Sequence, residues 1–282
     1  MNGDEIAYEW YAPDGIVLDN PTSATPSFTV TDTSANEELS FLVSVSDGYL
    51  YSTDVVTVNV QLRKARLDLK VILEGPYLDE GVMATTLYDQ EKLPREQPYD
   101  DSPWNYLGME EVTAMPPSVV DWVLVTARTE PAKNATVGTA AFMLRRDGQV
   151  IGLDGELPLL ALDSLYENLY LTVYHRNHVG VMTASLVSRN SGLYKVDFTT
   201  GSNVVFGGIN AIKDLGNGFH GLFSADADGN GQVQISDMFL LFEKLGLGGY
   251  YPEDFDLNSQ VQNSDLQENF FFNVGKGASF EY

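Results

Sequence analysis

The sequence contains no cysteine, which excludes disulfide bridges and thiolate zinc sites and leaves the redox compartment open. Basic residues are also few. The chain has 16 Lys and Arg against 40 Asp and Glu, a formal net charge of −24, which opposes binding to nucleic acid and to anionic membrane surfaces. No apolar run reaches the roughly 18 residues of a membrane-spanning helix, and residues 1–5 are polar rather than typical of a secretory leader. We therefore expect neither nucleic acid as a partner nor membrane insertion.

Apolar and aromatic residues are plentiful, at 44% and 11% of the 282 residues. This composition predicts packed cores rather than disorder, and the length predicts two or three domains. We place their boundaries at residues 1–62, 63–221 and 222–282.

An acidic loop occurs at residues 226–237 and again at residues 254–265. Both copies place Asp at loop positions 1, 3 and 12, Asn at position 5 and Val at position 8. In EF-hand-type loops, side-chain oxygens at positions 1, 3, 5 and 12 and the backbone carbonyl of position 7 bind calcium. Asp- and Gly-rich segments are also common as surface turns, but two copies in register favour metal binding. We predict two Ca²⁺ ions, with these ligands: Asp226, Asp228, Asn230, Gln232 and Asp237 in the first loop, and Asp254, Asp256, Asn258, Gln260 and Asp265 in the second.

A short helix is predicted after each loop, but none before it. Met238, Leu241, Phe242 and Leu245 recur at helical spacing before Gly246. This loop-then-helix unit, found twice, resembles a dockerin-like calcium-binding repeat over residues 222–276. The resemblance implies calcium in both loops and a cohesin-like protein as a possible partner. It also implies Gly at loop position 6, which Gly231 satisfies and Ser259 does not. Because that position favours positive φ, we expect strain at Ser259 and weaker binding in the second loop.

Residues 1–62 contain four segments with strand-like alternation, at 6–11, 27–30, 39–46 and 54–60, with a Ser46-Asp47-Gly48 turn. They resemble the later part of an Ig-like module of the PKD-like or cadherin-like kind. A complete sandwich needs about seven strands. We therefore expect the missing strands to precede Met1 and the chain to be a fragment of a longer protein.

Residues 63–221 are predicted to form a larger antiparallel β-sandwich, because strand patterns occur without helical periodicity between them. The predicted strands are 67–73, 119–128, 140–146, 149–151, 168–174, 179–184 and 193–198. Overall we predict a mainly β chain: a partial Ig-like sandwich, a larger β-sandwich and a small α-helical calcium-binding tail. Before the calcium loops, the chain carries in order the motifs Leu73-Glu74-Gly75, Gln97-Pro98-Tyr99, Pro103-Trp104-Asn105-Tyr106, His175-Arg176-Asn177-His178 and Asp197-Phe198-Thr199-Thr200-Gly201. On these motifs, residues 70–276 are similar to a C-terminal region of large secreted proteins of Bacteroidetes-type bacteria. This resemblance implies secreted or cell-surface placement and no catalytic residues.

Three further features have open interpretations. His175 and His178 flank a predicted turn and are either polar turn residues or zinc ligands completed by Asp121 or Asp197. Tyr99, Trp104 and Tyr106 are either exposed rings that stack on sugars or caps of the sandwich. The Gly216–Gly221 segment matches G-x-G-x-x-G but lacks the strand and helix of a dinucleotide site, so we interpret it as a connector.

We expect a non-catalytic, calcium-stabilised structural or interaction region. The alternative is a dockerin-bearing component of a polysaccharide-degrading system, acting by carbohydrate binding or cohesin docking; a third hypothesis is an enzyme hidden in the β-domain. A catalytic domain upstream of Met1 would favour the alternative, whereas finding only more Ig-like repeats there would favour the first hypothesis. We also expect the apolar side chains of the tail to pack on residues 65–221; they are Phe239, Leu240, Phe242, Phe270, Phe271 and Phe272.

Overall fold

The structure is a computed structural model that describes residues 6–29, 37–60 and 63–282. Its contacts divide the chain into two compact units, Met1–Arg63 and Lys64–Tyr282. The protein is mainly β, with mostly antiparallel sheets. Across the described ranges, no helix combines the length and apolar character needed to cross a membrane.

The first unit contains a three-stranded antiparallel sheet. Strands β1 (Ala7–Tyr11), β2 (Glu37–Ser46) and β3 (Tyr51–Val60) pair in that order. Leu39, Phe41 and Val43 alternate along β2 and are buried, which is the period-two pattern of a strand with one covered face. The predicted strand 27–30 is represented by one bridge, between Leu18 and Phe28, and residue 30 lies outside the described residues. The Ig-like assignment stays a prediction.

The second unit contains the remaining strands and the helices. The strands are β4 (Lys64–Lys70), β5 (Tyr77–Asp79), β6 (Val82–Met83), β7 (Val119–Arg128), β8 (Thr136–Arg145), β9 (Val150–Ile151), β10 (Leu159–Ala161), β11 (Asn168–His175), β12 (His178–Met182), β13 (Val187–Ser188), β14 (Leu193–Asp197), β15 (Lys213–Gly216) and β16 (Phe219–Gly221). The helices are α1 (Thr86–Asp89), α2 (Ile235–Lys244), a π-helix (Asp265–Phe270) and α3 (Phe271–Asn273). Short 3₁₀ turns lie at Lys133–Ala135, Phe198–Thr200, Ser202–Val204 and Gly208–Asn210.

The largest sheet has the order β12-β11-β7-β8-β9, with β13 also pairing β11. Its central strand β7 is buried along its whole length, because alternate side chains enter cores on opposite faces of the sheet. Val123 and Val125 belong to the larger core, whereas Trp122 and Leu124 belong to a second core. The sheet is therefore a middle layer with apolar packing on both sides.

A second sheet, in the order β10-β4-β14, covers the larger core. Ala65, Leu67 and Leu69 of β4 alternate toward that core, which gives a sandwich-like arrangement. Strand β14 runs parallel to β4. The antiparallel pairing predicted from the sequence is therefore wrong for these two strands. The two strands are far apart along the chain, and a parallel pair is possible because many residues connect them.

The residues after Gly221 belong to the same compact unit as the β-sheets. A third apolar core contains Val233, Leu241, Phe255 and Phe270 from this tail and also Val179 from β12. The tail thus shares an apolar core with the sheet. The predicted domain boundary between residues 221 and 222 stays a prediction.

The tail aromatics expected to pack on residues 65–221 differ in their burial. Phe270 is 1% exposed. Phe239, Phe242, Phe271 and Phe272 are instead 60%, 47%, 56% and 69% exposed. These four rings are therefore not buried against residues 65–221, since the inward faces of the helices are filled by residues such as Leu241 and Phe270, and their packing on the β-domain stays a prediction.

The predicted connector Gly216–Gly221 lies in a hairpin rather than in a free linker. Strands β15 and β16 pair antiparallel around it, and Gly216 and Gly218 adopt φ of 83°, a left-handed conformation that glycine adopts without strain. Leu222, directly after β16, donates its N–H to Ile72 O at 2.8 Å. The start of the tail is thus attached to the larger core.

Candidate metal centre

Two buried acidic triads form in the tail, one in each predicted loop. The first is Asp226, Asp228 and Asp237, and the second is Asp254, Asp256 and Asp265; within each triad, one carboxylate oxygen per residue lies within 4.8 Å of the others. In the part of the chain that the structure describes, these are the only groups of three or more His, Cys, Asp or Glu side chains placed to hold a metal ion. All six predicted aspartate ligands are therefore brought together as two sites.

The two loops have the same hydrogen-bonding pattern at position 1. Asp226 Oδ2 accepts from the Gly231 N–H at 2.9 Å. In the second loop, Asp254 Oδ2 accepts from the Ser259 N–H at 2.8 Å. Each first carboxylate is thus held across the turn, so the loop closes around its oxygens.

The equivalence extends to position 12, which lies in the first turn of each following helix. Asp237 Oδ2 accepts from the Gln234 N–H at 2.8 Å, and Asp265 Oδ2 accepts from the Gln262 N–H at 2.9 Å. A carboxylate in the first turn of a helix satisfies a backbone donor that has no partner within the helix. The closing acid of each loop therefore also fixes the start of the following helix.

The backbone conformation of the loops also repeats. At position 6, Gly231 has φ of 83° and Ser259 has φ of 70°; at position 4, Gly229 has φ of 65° and Leu257 has φ of 56°. Residues other than glycine are strained in this region. The strain expected at Ser259 is present, and Leu257 adds a second strained position to the same loop.

The predicted amide and carbonyl ligands lie beside the triads. The Asn230 side-chain amide donates to Asp228 Oδ2 at 2.8 Å, and Asn258 makes the same bond to Asp256. Asn230 Oδ1 and Asn258 Oδ1 accept from the N–H groups of Gln232 and Gln260, both at 2.9 Å. These hydrogen bonds link loop position 5 to position 7 in both loops. The roles of Asn230, Gln232, Asn258 and Gln260 as calcium ligands stay predictions.

Burial and mutual repulsion perturb the carboxyl groups. Burial, followed by the Asp237 charge, raises the pKa of Asp226 well above its ordinary value. Burial raises the pKa of Asp254 to about 8, with Arg176 opposing the shift and Asp256 adding to it. Burial also raises the pKa of Asp265 to about 6. Each triad is an energetically unfavourable anionic cluster that a cation would relieve.

One oxygen in the first triad has no partner. Asp226 is fully buried, its Oδ2 is held by Gly231, and its Oδ1 has no hydrogen bond. A buried carboxylate oxygen without a donor is costly. The donor set in both loops is entirely oxygen, which suits a hard divalent cation, whereas zinc sites favour nitrogen and sulfur.

The surroundings of the two loops differ. In the first loop, a Cβ added at Gly229 would lie 2.4 Å from the Trp104 ring, and one added at Gly231 would lie 2.5 Å from the Tyr282 ring. In the second loop, Ser259 Oγ donates to Gln90 Oε1 at 2.6 Å. The first loop is therefore covered by aromatic rings and the second by a polar contact.

A buried turn of the large sheet contacts both loops. The Asn177 backbone carbonyl accepts from the N–H groups of Ala225 and Asp226, both at 3.1 Å. The Asn177 side-chain amide donates to Pro252 O at 2.9 Å and to Asp254 O at 2.7 Å. One residue of the β11–β12 turn thus fixes the first residue of each acidic loop.

The histidines in this turn belong to an ion-pair cluster. Asp121 contacts Arg176 Nε at 2.8 Å, His175 Nε2 at 3.2 Å and the Tyr250 hydroxyl at 2.6 Å. Burial alone would raise the pKa of Asp121, but Arg176 and His175 bring it to about 2. Burial lowers the pKa values of both histidines. Because Arg176 already neutralises Asp121, this cluster is a structural ion pair rather than a zinc site.

The other candidate zinc ligands, Asp197 and His178, accept hydrogen bonds from backbone N–H groups. Asp197 Oδ1 accepts from the Thr199 N–H at 2.9 Å, and His178 Nε2 accepts from the Gly75 N–H at 3.2 Å. The polar-turn interpretation of His175 and His178 therefore agrees with the geometry.

The sequence patterns did not identify Asn177, Trp104 or Tyr282 as neighbours of the loops. Four consecutive polar residues, 175–178, between two apolar strand patterns were the one local indication, since such a turn is normally exposed. No family model, curated protein or solved structure matches this chain.

Proposed function

We propose that the two triads bind calcium and that the chain is a non-catalytic, calcium-stabilised structural or interaction region of a secreted or cell-surface bacterial protein. The supporting observation is the unpartnered Oδ1 of the buried Asp226, which lies among acidic neighbours and needs a cation. Calcium accepts six to eight oxygen ligands in irregular loops, whereas magnesium keeps several waters in a strict octahedron. Each loop offers three carboxylates, an amide and a carbonyl, and this ligand set therefore favours calcium.

The proposed role of calcium is to hold the tail on the β-sheets. The first residue of each loop is bonded to Asn177 of the β11–β12 turn, and the tail core includes Val179 of β12. A ligand that binds only the folded state, present at 100 times its Kd, stabilises that state by about 2.7 kcal/mol per site. Ordering the loops would therefore also secure the contact with the sheet.

The buried His175–Asp121–Arg176 cluster supports a structural rather than a catalytic role for the turn. All three side chains are at most 3% exposed, and Arg176 Nη1 also donates to the Tyr251 carbonyl of the tail. The charges are thus used to join the sheet to the tail, and no face of the cluster is open to a substrate.

Calorimetric titration of the chelator-stripped chain with calcium tests this proposal. We expect a stoichiometry near two, reduced by one ion in Asp226→Ala and by one in Asp254→Ala. Glu243→Ala is the matched control, because it removes an exposed acid of α2 without touching either loop. A flat titration of the folded protein would reject the proposal.

A second candidate is a dockerin-type docking module of a polysaccharide-degrading system. The observation that favours it is the outward face of α2, where Ile235, Phe239 and Phe242 recur at helical spacing and are 53%, 60% and 47% exposed. Exposed apolar patches of this kind mark interaction sites. The cohesin-facing positions 10 and 11, Ile235-Ser236 and Asn263-Ser264, differ between the loops, which implies one preferred orientation.

Titration against purified cohesin modules tests the docking candidate. We expect binding that requires calcium and that Phe239→Ser with Phe242→Ser abolishes, while calcium stoichiometry is retained. Failure of the unsubstituted chain to bind a broad cohesin panel would reject it.

A further inference from the structure

A pocket of ≈ 320 Å³ opens beside the first acidic loop, against the second core of the large sheet. Four rings line it: Trp104, Tyr106, Tyr174 and Tyr282. The volume lies within the range of small-ligand sites, which are typically lined by aromatic side chains with a few polar groups. Tyr99, for which stacking on a sugar is one of the two predicted roles, is fully buried, with its hydroxyl donating to Trp122 O at 2.8 Å. It supports the pocket from behind, in contact with Trp104 at 5.1 Å between ring centroids.

Two buried donors of this pocket lack acceptors. Trp104 Nε1 and Arg128 Nε form no hydrogen bond within the described ranges. The rest of the Arg128 guanidinium is engaged, since Nη1 donates to the carbonyls of Pro131 and Glu281 and Nη2 donates to the Tyr174 hydroxyl. Because an unsatisfied buried donor is costly, a ligand that presents acceptor oxygens to these two groups would be favoured.

Hydroxyl groups extend this polar surface. Thr126, Thr136 and Thr139 line the same pocket as the four rings. A purely apolar ligand would leave Trp104 Nε1 and Arg128 Nε unpaired, whereas a sugar offers ring and hydroxyl oxygens to them and packs its C–H face on aromatic rings. We propose that this pocket binds one saccharide ring, with Trp104 as a wall and donor, and that calcium in the first loop holds the wall in place.

The dependence on calcium follows from two close approaches. Trp104 rests on Gly229 and Tyr282 rests on Gly231, at loop positions 4 and 6. Tyr282 is further fixed by the Gly180 N–H, which donates to its hydroxyl oxygen at 2.7 Å. Both rings therefore depend on the loop conformation that a cation would stabilise. This dependence rests on the proposed calcium function, whereas the saccharide site itself does not.

The experiment follows indole N–H resonances of the full chain by NMR during titration with methyl β-D-glucopyranoside, N-acetylglucosamine and galacturonate, in calcium and again after chelation. The probes separate neutral from acidic saccharides. We expect at least one probe to shift the Trp104 resonance, which Trp104→Phe identifies by its loss, while Trp10 and Trp122 do not move. Trp10 is a suitable internal reference, because it lies in the first unit and its Nε1 already donates to Ser23 O at 3.1 Å.

Trp104→Phe retains a ring but removes the donor, and loss of one hydrogen bond of about 1 kcal/mol weakens binding about fivefold. Trp10→Phe should leave affinity unchanged. Retained calcium stoichiometry with no Trp104 shift for any probe overturns the saccharide site but leaves the calcium proposal intact. Equal saccharide affinity in calcium and in chelator overturns the coupling. A Trp104→Phe variant that remains folded by circular dichroism and binds as tightly as the unsubstituted chain overturns the role of Trp104.

Discussion

The side-chain amide of Asn177 donates to the backbone carbonyl of Asp254 at 2.7 Å, across 77 positions of sequence. Both groups are buried, and Asn177 and Asp254 are each 0% exposed. The same asparagine accepts through its own carbonyl from Asp226 N–H. A residue of the sheet is therefore bonded to the first residue of both acidic loops and helps to set their separation and orientation.

Replacing Asn177 should destabilise the second unit and weaken calcium binding. Asn177→Ala leaves the carbonyls of Pro252 and Asp254 buried without donors, at a cost of about 2–4 kcal/mol in the free energy of unfolding. Urea denaturation in saturating calcium measures it. Asn190→Ala, at an exposed position, is the control and should change stability by less than about 0.5 kcal/mol. A similarly small effect for Asn177→Ala would contradict the bridging role.

Removing calcium should lower the thermal stability of the second unit. A site held at 1,000 times its Kd contributes about 4.1 kcal/mol, so the transition should rise with calcium concentration. Calorimetric scans of the full chain in chelator and in millimolar calcium measure the shift. The double variant Asp226→Ala, Asp254→Ala should not respond to calcium. Overlapping scans of the unsubstituted chain would show that the triads do not stabilise the fold.

Two substitutions of Ser259 separate its strain from its hydrogen bond. Ser259→Ala keeps φ near 70° and loses the bond to Gln90, whereas Ser259→Gly loses the bond but relieves the strain. We expect Ser259→Ala to be less stable than Ser259→Gly by about 1 kcal/mol, the cost of a left-handed conformation for a residue other than glycine. Chemical denaturation compares them. In a Gln90→Ala background, Ser259→Ala should cause little further loss; the reverse stability order would exclude strain at this position.

The metal-free protein should lose stability as the pH rises. The folded pKa of Asp254 is raised to about 8 and that of Asp265 to about 6, above the unfolded value of about 3.9. Between about pH 4 and pH 8 the folded state therefore binds more protons than the unfolded state, and its free energy of unfolding falls as pH increases. Denaturation of the chelator-stripped chain at pH 5 and pH 8 measures this, and Asp254→Asn should flatten the profile. Greater stability at pH 8 in the unsubstituted chain would contradict the raised pKa values.

The acidic loops illustrate what local pattern predicts well. Ligand spacing depends on neighbours within twelve-residue windows, so the two triads assembled as their positions indicated. The helix after the first loop was also found, although it begins at Ile235 rather than at Met238, because Asp237 serves both as closing acid and as first-turn residue.

Other features depend on contacts distant in sequence, which local pattern does not contain. Period-two alternation identifies β4 and β14 as strands but carries no information on their parallel pairing. Likewise, nothing near Asn177 indicates Asp254 as its partner. The local pattern also does not distinguish the exposed Phe239 from the buried Phe270. Both rings lie in short apolar helices, and the core beneath these helices sets their orientation.

The Asn177 bridge also has a consequence for the order of folding. The β11–β12 turn is a local structure that closes a short chain segment, whereas joining it to Asp226 and Asp254 closes much longer loops at a greater entropic cost. Contacts of that span form late in small domains. The acidic loops would therefore reach their final arrangement only after the hairpin is complete, so that the hairpin serves as the template on which the tail is assembled.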